Sequence, residues 1–78
     1  MANDQSKRDI HDRLYKFALS VLYLLRGIPR SPENLVMVRQ VVRSSGSMGA
    51  NAMEADGAES KKEFIHRFTI SKKESKVA

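Results

Sequence analysis

The chain contains no cysteine, which excludes disulfide staples and thiolate metal sites. With only 78 residues it can form at most one small domain. A single core of that size supplies only a few kcal/mol unaided, so association with further copies is the remaining source of buried area. Aromatic residues are few, three Phe and two Tyr, and they are not interleaved with basic residues as a base-stacking platform requires. Long apolar runs are missing too. The longest, Phe17 to Leu25, stops at Arg26, far short of the roughly 20 residues of a membrane span. It follows a polar, mixed-charge leader unlike a signal peptide. Absent cysteine, span and leader together predict a cytoplasmic protein with no membrane partner.

Chemistry-bearing constellations are equally scarce. His11 and His66 fall in different segments, with no metal-ligand spacing between them. The acidic run Glu54-Ala55-Asp56-Gly57-Ala58-Glu59 lacks the alternating ligands of a calcium loop. Ser44-Ser45-Gly46-Ser47 has no base beside it to make a nucleophile. Neither a phosphate-cradling glycine loop nor a dinucleotide fingerprint is present. The sequence therefore reads as non-enzymatic and without a cofactor.

Acidic residues are outnumbered, nine against fourteen Lys and Arg, for a net charge of +5. Such an excess favours polyanions by long-range attraction. Helical periodicity organises the remainder. Residues 1–6 are polar and read as disordered. From Arg8, Ile10, Leu14, Phe17, Val21, Leu24 and Ile28 recur at spacings of 4, 3, 4, 3 and 4, the period of a bundle helix. Ala18, Leu22 and Leu25 widen that stripe. A first helix is expected over about 8–26, ended by Gly27 in a left-handed cap and by Pro29. Ser31-Pro32-Glu33 then combines an N-cap, a first-position proline and a first-turn acid, opening a second helix over about 32–56. A connection this short makes the two helices antiparallel neighbours. Ser60-Lys61-Lys62-Glu63 matches a capping box ahead of Phe64, Ile65 and Phe68, so a third helix is expected over about 61–75.

The second helix is proline-free from Arg39 to Ala55 and dense in Gly, Ala and Ser. At 100° per residue, Val38, Val41, Val42, Ser45, Met48, Gly49 and Ala52 share an apolar or small face. Arg39, Gln40, Arg43, Ser47, Asn51 and Glu54 form a polar stripe opposite. Each interior glycine costs a helix roughly 1 kcal/mol. Gly46 and Gly49 therefore predict a central helix held by packing, with small residues admitting a neighbouring backbone.

Arg39, Gln40, Arg43, Ser44, Ser47, Gly49, Ala50, Asn51, Glu54 and Ala55 fit the pattern R-Q-x-x-R-S-x-x-S-x-G-A-N-x-x-E-A. Ser60, Glu63, Phe64, Ile65, Arg67, Phe68, Thr69 and Ile70 fit a third-helix opening ending in F-I-x-(K/R)-(L/F)-(S/T)-I. Over about residues 8–75 the chain resembles the small bacterial four-helix-bundle proteins encoded in 23S ribosomal RNA intervening sequences. The resemblance implies an all-α, up-and-down bundle assembled as a homopentameric ring. Lys72 stands where that pattern continues with apolar residues, and the fourth helix is absent. The 78 residues thus read as a single, incomplete four-helix-bundle domain, a truncated member or one completed by another chain. The family's biochemical role is largely undefined. One relative, the accessory protein of diversity-generating retroelements, partners a reverse transcriptase and binds nucleic acid through a basic ring.

Two sets of residues are candidate sites. The stripe Arg39, Gln40, Arg43, Ser47, Asn51, Glu54 is expected first as a structural network, with Glu54 neutralised by an arginine. Arg39 and Arg43, one turn apart, facing a phosphate is the competing reading. Lys61, Lys62, Arg67, Lys72, Lys73 and Lys76 are the expected electrostatic footprint for RNA or DNA, against a solvated outer face as the plainer alternative. Phe64 and Phe68 are expected in the core. The function expected is a homo-oligomeric binding or scaffold module for nucleic acid. The alternatives are a purely protein–protein assembly module and a non-functional truncated member.

Overall fold

A computed structural model describes residues 4–77, whose backbone forms three α-helices: α1 (Asp4–Leu25), α2 (Pro32–Glu54) and α3 (Ala58–Ser75). The all-α, up-and-down bundle that the resemblance implied is what forms, each helix packing against the other two.

Helix boundaries follow local chemistry, with three departures from expectation. α1 begins at Asp4, so residues 4–6 are helical rather than disordered; residues 1–3 lie outside the described range. Its end is not a left-handed glycine cap, because among the described residues only Gly57 (φ 121°) and Lys76 (φ 57°) have positive φ. Instead the last turn tightens, with the N–H groups of Arg26, Gly27 and Ile28 donating to the carbonyls of Tyr23, Leu24 and Leu25 at 3.2–3.3 Å. Pro29, without an N–H, then stops the ladder. The start of α2 is the predicted one. Ser31 is extended, its Oγ accepts the Asn34 N–H at 3.2 Å, Pro32 holds the first turn and Glu33 meets the positive end of the dipole.

The third departure is the start of α3. Gly57, at φ 121° and ψ 171°, is its N-cap, and the helix begins at Ala58. Ser60 therefore sits inside the first turn and the capping box does not form. A φ of that sign is strained for any residue with a Cβ, so glycine rather than serine sets this start.

The core gathers Ala18, Leu22 and Leu25 of α1, Val38, Val42, Ala50 and Met53 of α2, and Phe64 and Phe68 of α3. Gly46 and Gly49 shape it. A Cβ built on Gly49 would lie 2.0 Å from Phe64 Cζ, and one on Gly46 2.9 Å from Phe68 Cε2. The small residues of α2 thus seat two stacked aromatic rings, their centroids 5.8 Å apart, where a close backbone was expected. Beyond Phe68 the inward positions of α3 are Ser71 and Ser75, both half-buried. Tyr15 Oη and Ser71 Oγ share a hydrogen bond at 3.2 Å, so a phenol tip supplies there what an apolar side chain would otherwise fill.

The α1 stripe behaves differently from its reading. Its 4-3-4-3-4 spacing does not mark the core, which is built on Ala18, Leu22 and Leu25. Ile10, Phe17 and Leu24 are exposed and Leu14, Val21 and Ile28 half-buried, along the flank of α1 turned toward α2. On α2 the faces are likewise rotated: Gly49, Ala50 and Met53 are buried, whereas Val41, Met48 and Ala52 are exposed. α1 and α2 thereby frame an apolar groove of about 600 Å³ on the side away from α3.

Candidate functional site

The seating of Phe64 on Gly49 and Phe68 on Gly46 fixes the register of α2 against α3. One turn further along α3, Lys72 comes level with Val42, between Arg39 and Arg43. At the other end Lys61 comes level with Met53 and Glu54. Side chains beside the aromatic contact then line a groove of about 580 Å³. α2 contributes Arg39, Arg43, Ser47 and Asn51, and α3 contributes Lys61, Ile65, Thr69 and Lys72.

This geometry divides the polar stripe. Arg39, Arg43, Ser47 and Asn51 line the basic groove, whereas Gln40 lies on the α1 side and lines the apolar one. All six stripe residues are exposed. Among the described residues no side-chain hydrogen bond of Arg39, Gln40, Arg43, Ser47 or Asn51 occurs, so the expected network does not form among them. Glu54 pairs with a lysine rather than an arginine, its Oε1 accepting from Lys61 Nζ at 3.4 Å. The Lys61 side chain keeps 36% and that of Glu54 59% of its accessibility, so the pair is worth at most about 1 kcal/mol.

That pair settles where charge accumulates. Glu54 is eleven residues from Arg43 along α2, about 16 Å at the helical rise, and is spoken for by Lys61. Arg39, Arg43 and Lys72 meet at the opposite end, and among the described residues no ion pair engages any of them. Three cations on two helices, beside the neutral donors of Ser47 and Asn51, make a surface suited to phosphate oxygens, while the Thr69 hydroxyl on the same groove donates to the Ile65 carbonyl at 2.8 Å.

The six basic residues expected as one footprint are dispersed. Lys61 and Lys72 face the basic groove, while Lys62 and Lys73 are exposed along the outer face of α3. Arg67 turns toward α1, paired with Glu63 at 3.0 Å and lying over the Tyr15 ring at 5.5 Å. Lys76 forms the left-handed cap of α3, and its carbonyl accepts from Arg30 Nη2 at 2.9 Å. Sequence reading kept Arg39 and Arg43 apart from Lys72, because their meeting is a cross-helix property with no spacing along the chain. Thr69 entered the sequence reading only as part of the third-helix motif and not as a site residue, and the α3 period that places it beside Lys72 was the available signal.

A third concavity, about 340 Å³ between α1 and α3, is lined by Arg8, His11, Asp12, Tyr15, Ser60, Glu63 and Arg67 among others. Its charges are of both signs and are paired in part: His11 Nε2 contacts Asp56 Oδ2, and Arg67 contacts Glu63. Among the described residues Ser60 has no hydrogen bond to the imidazole, the contact a nucleophile–base pair needs. Nor does any group of three or more His, Asp or Glu there converge as metal ligands. No described helix is long and apolar enough to cross a membrane.

A family model described as 23S rRNA-intervening sequence protein matches residues 6–76. No curated protein and no solved structure matches the chain.

Proposed function

The chain belongs to the 23S rRNA-intervening sequence protein family, and from that premise we propose that it is a non-enzymatic, cofactor-free nucleic-acid-binding module of the cytoplasm. Phosphates of RNA or DNA contact Arg39, Arg43 and Lys72 in the α2–α3 groove, with Ser47 and Asn51 as neutral donors. The observation that carries this reading is the convergence of three cations, engaged by no ion pair among the described residues, at the end of the groove remote from Glu54. The net charge of +5 supports it, because the long-range field draws polyanions toward the same surface. The aromatics at this groove, Phe64 and Phe68, are buried, which favours backbone contact over base stacking, hence little sequence preference.

The test is a fluorescence-anisotropy titration of labelled RNA and DNA oligonucleotides over a series of KCl concentrations. Neutralising about three phosphates gives a slope of log K against log salt near −2 to −3. The Arg39→Gln/Arg43→Gln/Lys72→Gln variant is expected to lose most of that slope, whereas Lys62→Gln/Lys73→Gln keeps it. A slope unchanged in the triple variant removes the groove from the reading. Absence of binding in the wild type favours the second reading, a protein–protein assembly module, for which the exposed apolar face between α1 and α2 is the specific support.

A further inference from the structure

Charge is unevenly distributed along the bundle. The hydrogen bond between Tyr15 and Ser71 and the register that sets Lys72 level with Val42 mark one level across the three helices. From that level to the α1–α2 turn lie residues 15–43 and 71–77. They hold eight Lys and Arg against two acids, Glu33 and Glu74, a net charge of +6. Residues 8–14 and 44–70, on the other side, hold five Lys and Arg against six Asp and Glu, a net −1. Pairing sharpens the contrast. In the far part Lys61 and Arg67 are engaged by Glu54 and Glu63, and His11 contacts Asp56. Among the described residues no ion pair engages a cation of the turn end. The helix dipoles change little, because one N-terminus and two C-termini meet there, together about half a negative charge.

At the tip, Arg26 and Arg30 of the turn and Lys76 at the end of α3 are all exposed. They line one small hollow, and Arg30 Nη2 donates to the Lys76 carbonyl at 2.9 Å, which holds the turn against α3. The bundle is 48 Å long and 18 Å across. Its ends are therefore several Debye lengths apart at about 0.1 M salt, where that length is about 10 Å. A phosphate backbone approaching under those conditions responds to the nearer end rather than to the charge of the whole chain. We propose, building on the groove contacts inferred above, that nucleic acid is captured at the turn end of the bundle. Arg26, Arg30 and Lys76 draw the phosphates in, Arg39, Arg43 and Lys72 hold them, and the far end stays turned away from the strand. An approach from that far end would meet Glu54, Asp56 and Glu59 first. Charge placed in this way acts on the rate of encounter, which a focused field raises by about 10- to 1,000-fold.

Stopped-flow fluorescence, following association of the labelled RNA and DNA oligonucleotides with two charge-matched variants, tests the direction of approach. Arg26→Gln/Arg30→Gln/Lys76→Gln and Arg8→Gln/Arg13→Gln/Lys62→Gln each remove three charges from the net +5, at exposed positions of opposite ends. At about 0.1 M salt the first is expected to slow association about five- to tenfold and the second less than about twofold, with dissociation unchanged in both. At about 0.01 M, where the Debye length is about 30 Å, the difference between them narrows. Far-ultraviolet circular dichroism checks that both keep their helices. Arg26→Gln/Lys76→Gln against Arg13→Gln/Lys62→Gln repeats the comparison with Arg30 left on its carbonyl. Equal slowing by the two sets at the higher salt, or stronger slowing by the far-end set, overturns capture at the turn end. So does an effect of the turn-end set on dissociation alone. In each of those cases the groove contacts still stand if Arg39→Gln/Arg43→Gln/Lys72→Gln loses its salt slope. A wild type that binds no oligonucleotide overturns both.

Discussion

Gly49→Ala is the sharpest probe of how α2 holds α3. In an isolated helix the change stabilises by up to about 1 kcal/mol, because alanine loses less backbone entropy than glycine. Here the added Cβ would stand 2.0, 2.5 and 2.7 Å from Cζ, Cε1 and Cε2 of Phe64. Carbon atoms rest about 3.5–4.0 Å apart, so the ring must withdraw by about 1.5 Å. Phe64 is 3% exposed and stacked on Phe68, so it has no free direction of retreat. Overpacking costs typically 1–3 kcal/mol, and three contacts this short place it in the upper part of that range, about 2–3 kcal/mol, which leaves a net loss of about 1–2 kcal/mol after the propensity gain. Gly46→Ala is the internal comparison. Its Cβ meets Phe68 Cε2 at 2.9 Å and Cδ2 at 3.3 Å, so a ring shift of about 0.6 Å suffices and the propensity gain nearly offsets it. Thermal unfolding followed by circular dichroism reads both, at matched protein concentration because self-association would raise the midpoint. For a chain of this size 1 kcal/mol moves Tm by about 4–8 °C. Gly49→Ala should therefore lower Tm by about 5–15 °C, with Gly46→Ala within about 4 °C of wild type. A double-mutant cycle with Phe64→Leu, which removes the ring's far end, should recover part of the loss. Should Gly49→Ala prove as stable as wild type, the seating of Phe64 on Gly49 would be refuted.

Two further stability changes follow from named contacts. Ser31→Ala removes the only side-chain acceptor capping the start of α2, an expected loss of about 1 kcal/mol by urea unfolding. Leu22, 1% exposed and the most buried large side chain among the described residues, should cost about 2–5 kcal/mol as alanine. In so small a domain, the Leu22→Ala chain is expected to be largely unfolded by circular dichroism at room temperature.

The α2 start, the all-helical character and the antiparallel order were legible in the sequence because each rests on local chemistry. Ser31-Pro32-Glu33 contains its own cap, and a turn this short leaves two helices no other arrangement. Two readings misled for the same reason. Ser60-Lys61-Lys62-Glu63 is a valid capping box in isolation, but Gly57 allows the chain to enter the helix earlier through a backbone angle that sequence patterns do not display. The α1 stripe was detected correctly as a bundle period, yet it marks the uncovered edge rather than the core. Periodicity reports that a face is apolar and is silent on what covers it.

The residues of the candidate site were nearly all visible beforehand, but their grouping was not. Arg39 and Arg43 belonged to one reading and Lys72 to another, and Glu54 was expected to be neutralised by an arginine of its own stripe. The helix content, the turn chemistry and the excess of positive charge are properties of composition and of intervals shorter than two helical turns, so the sequence by itself determined them. The register of α3 on α2 depends on two phenyl rings entering two glycine gaps, Phe64 at Gly49 and Phe68 at Gly46, a fit between residues far apart in the chain. Only the tertiary structure decided that Lys72 lines one groove with the arginines, that Lys61 pairs with Glu54, and that the best-patterned edge of α1 is left exposed.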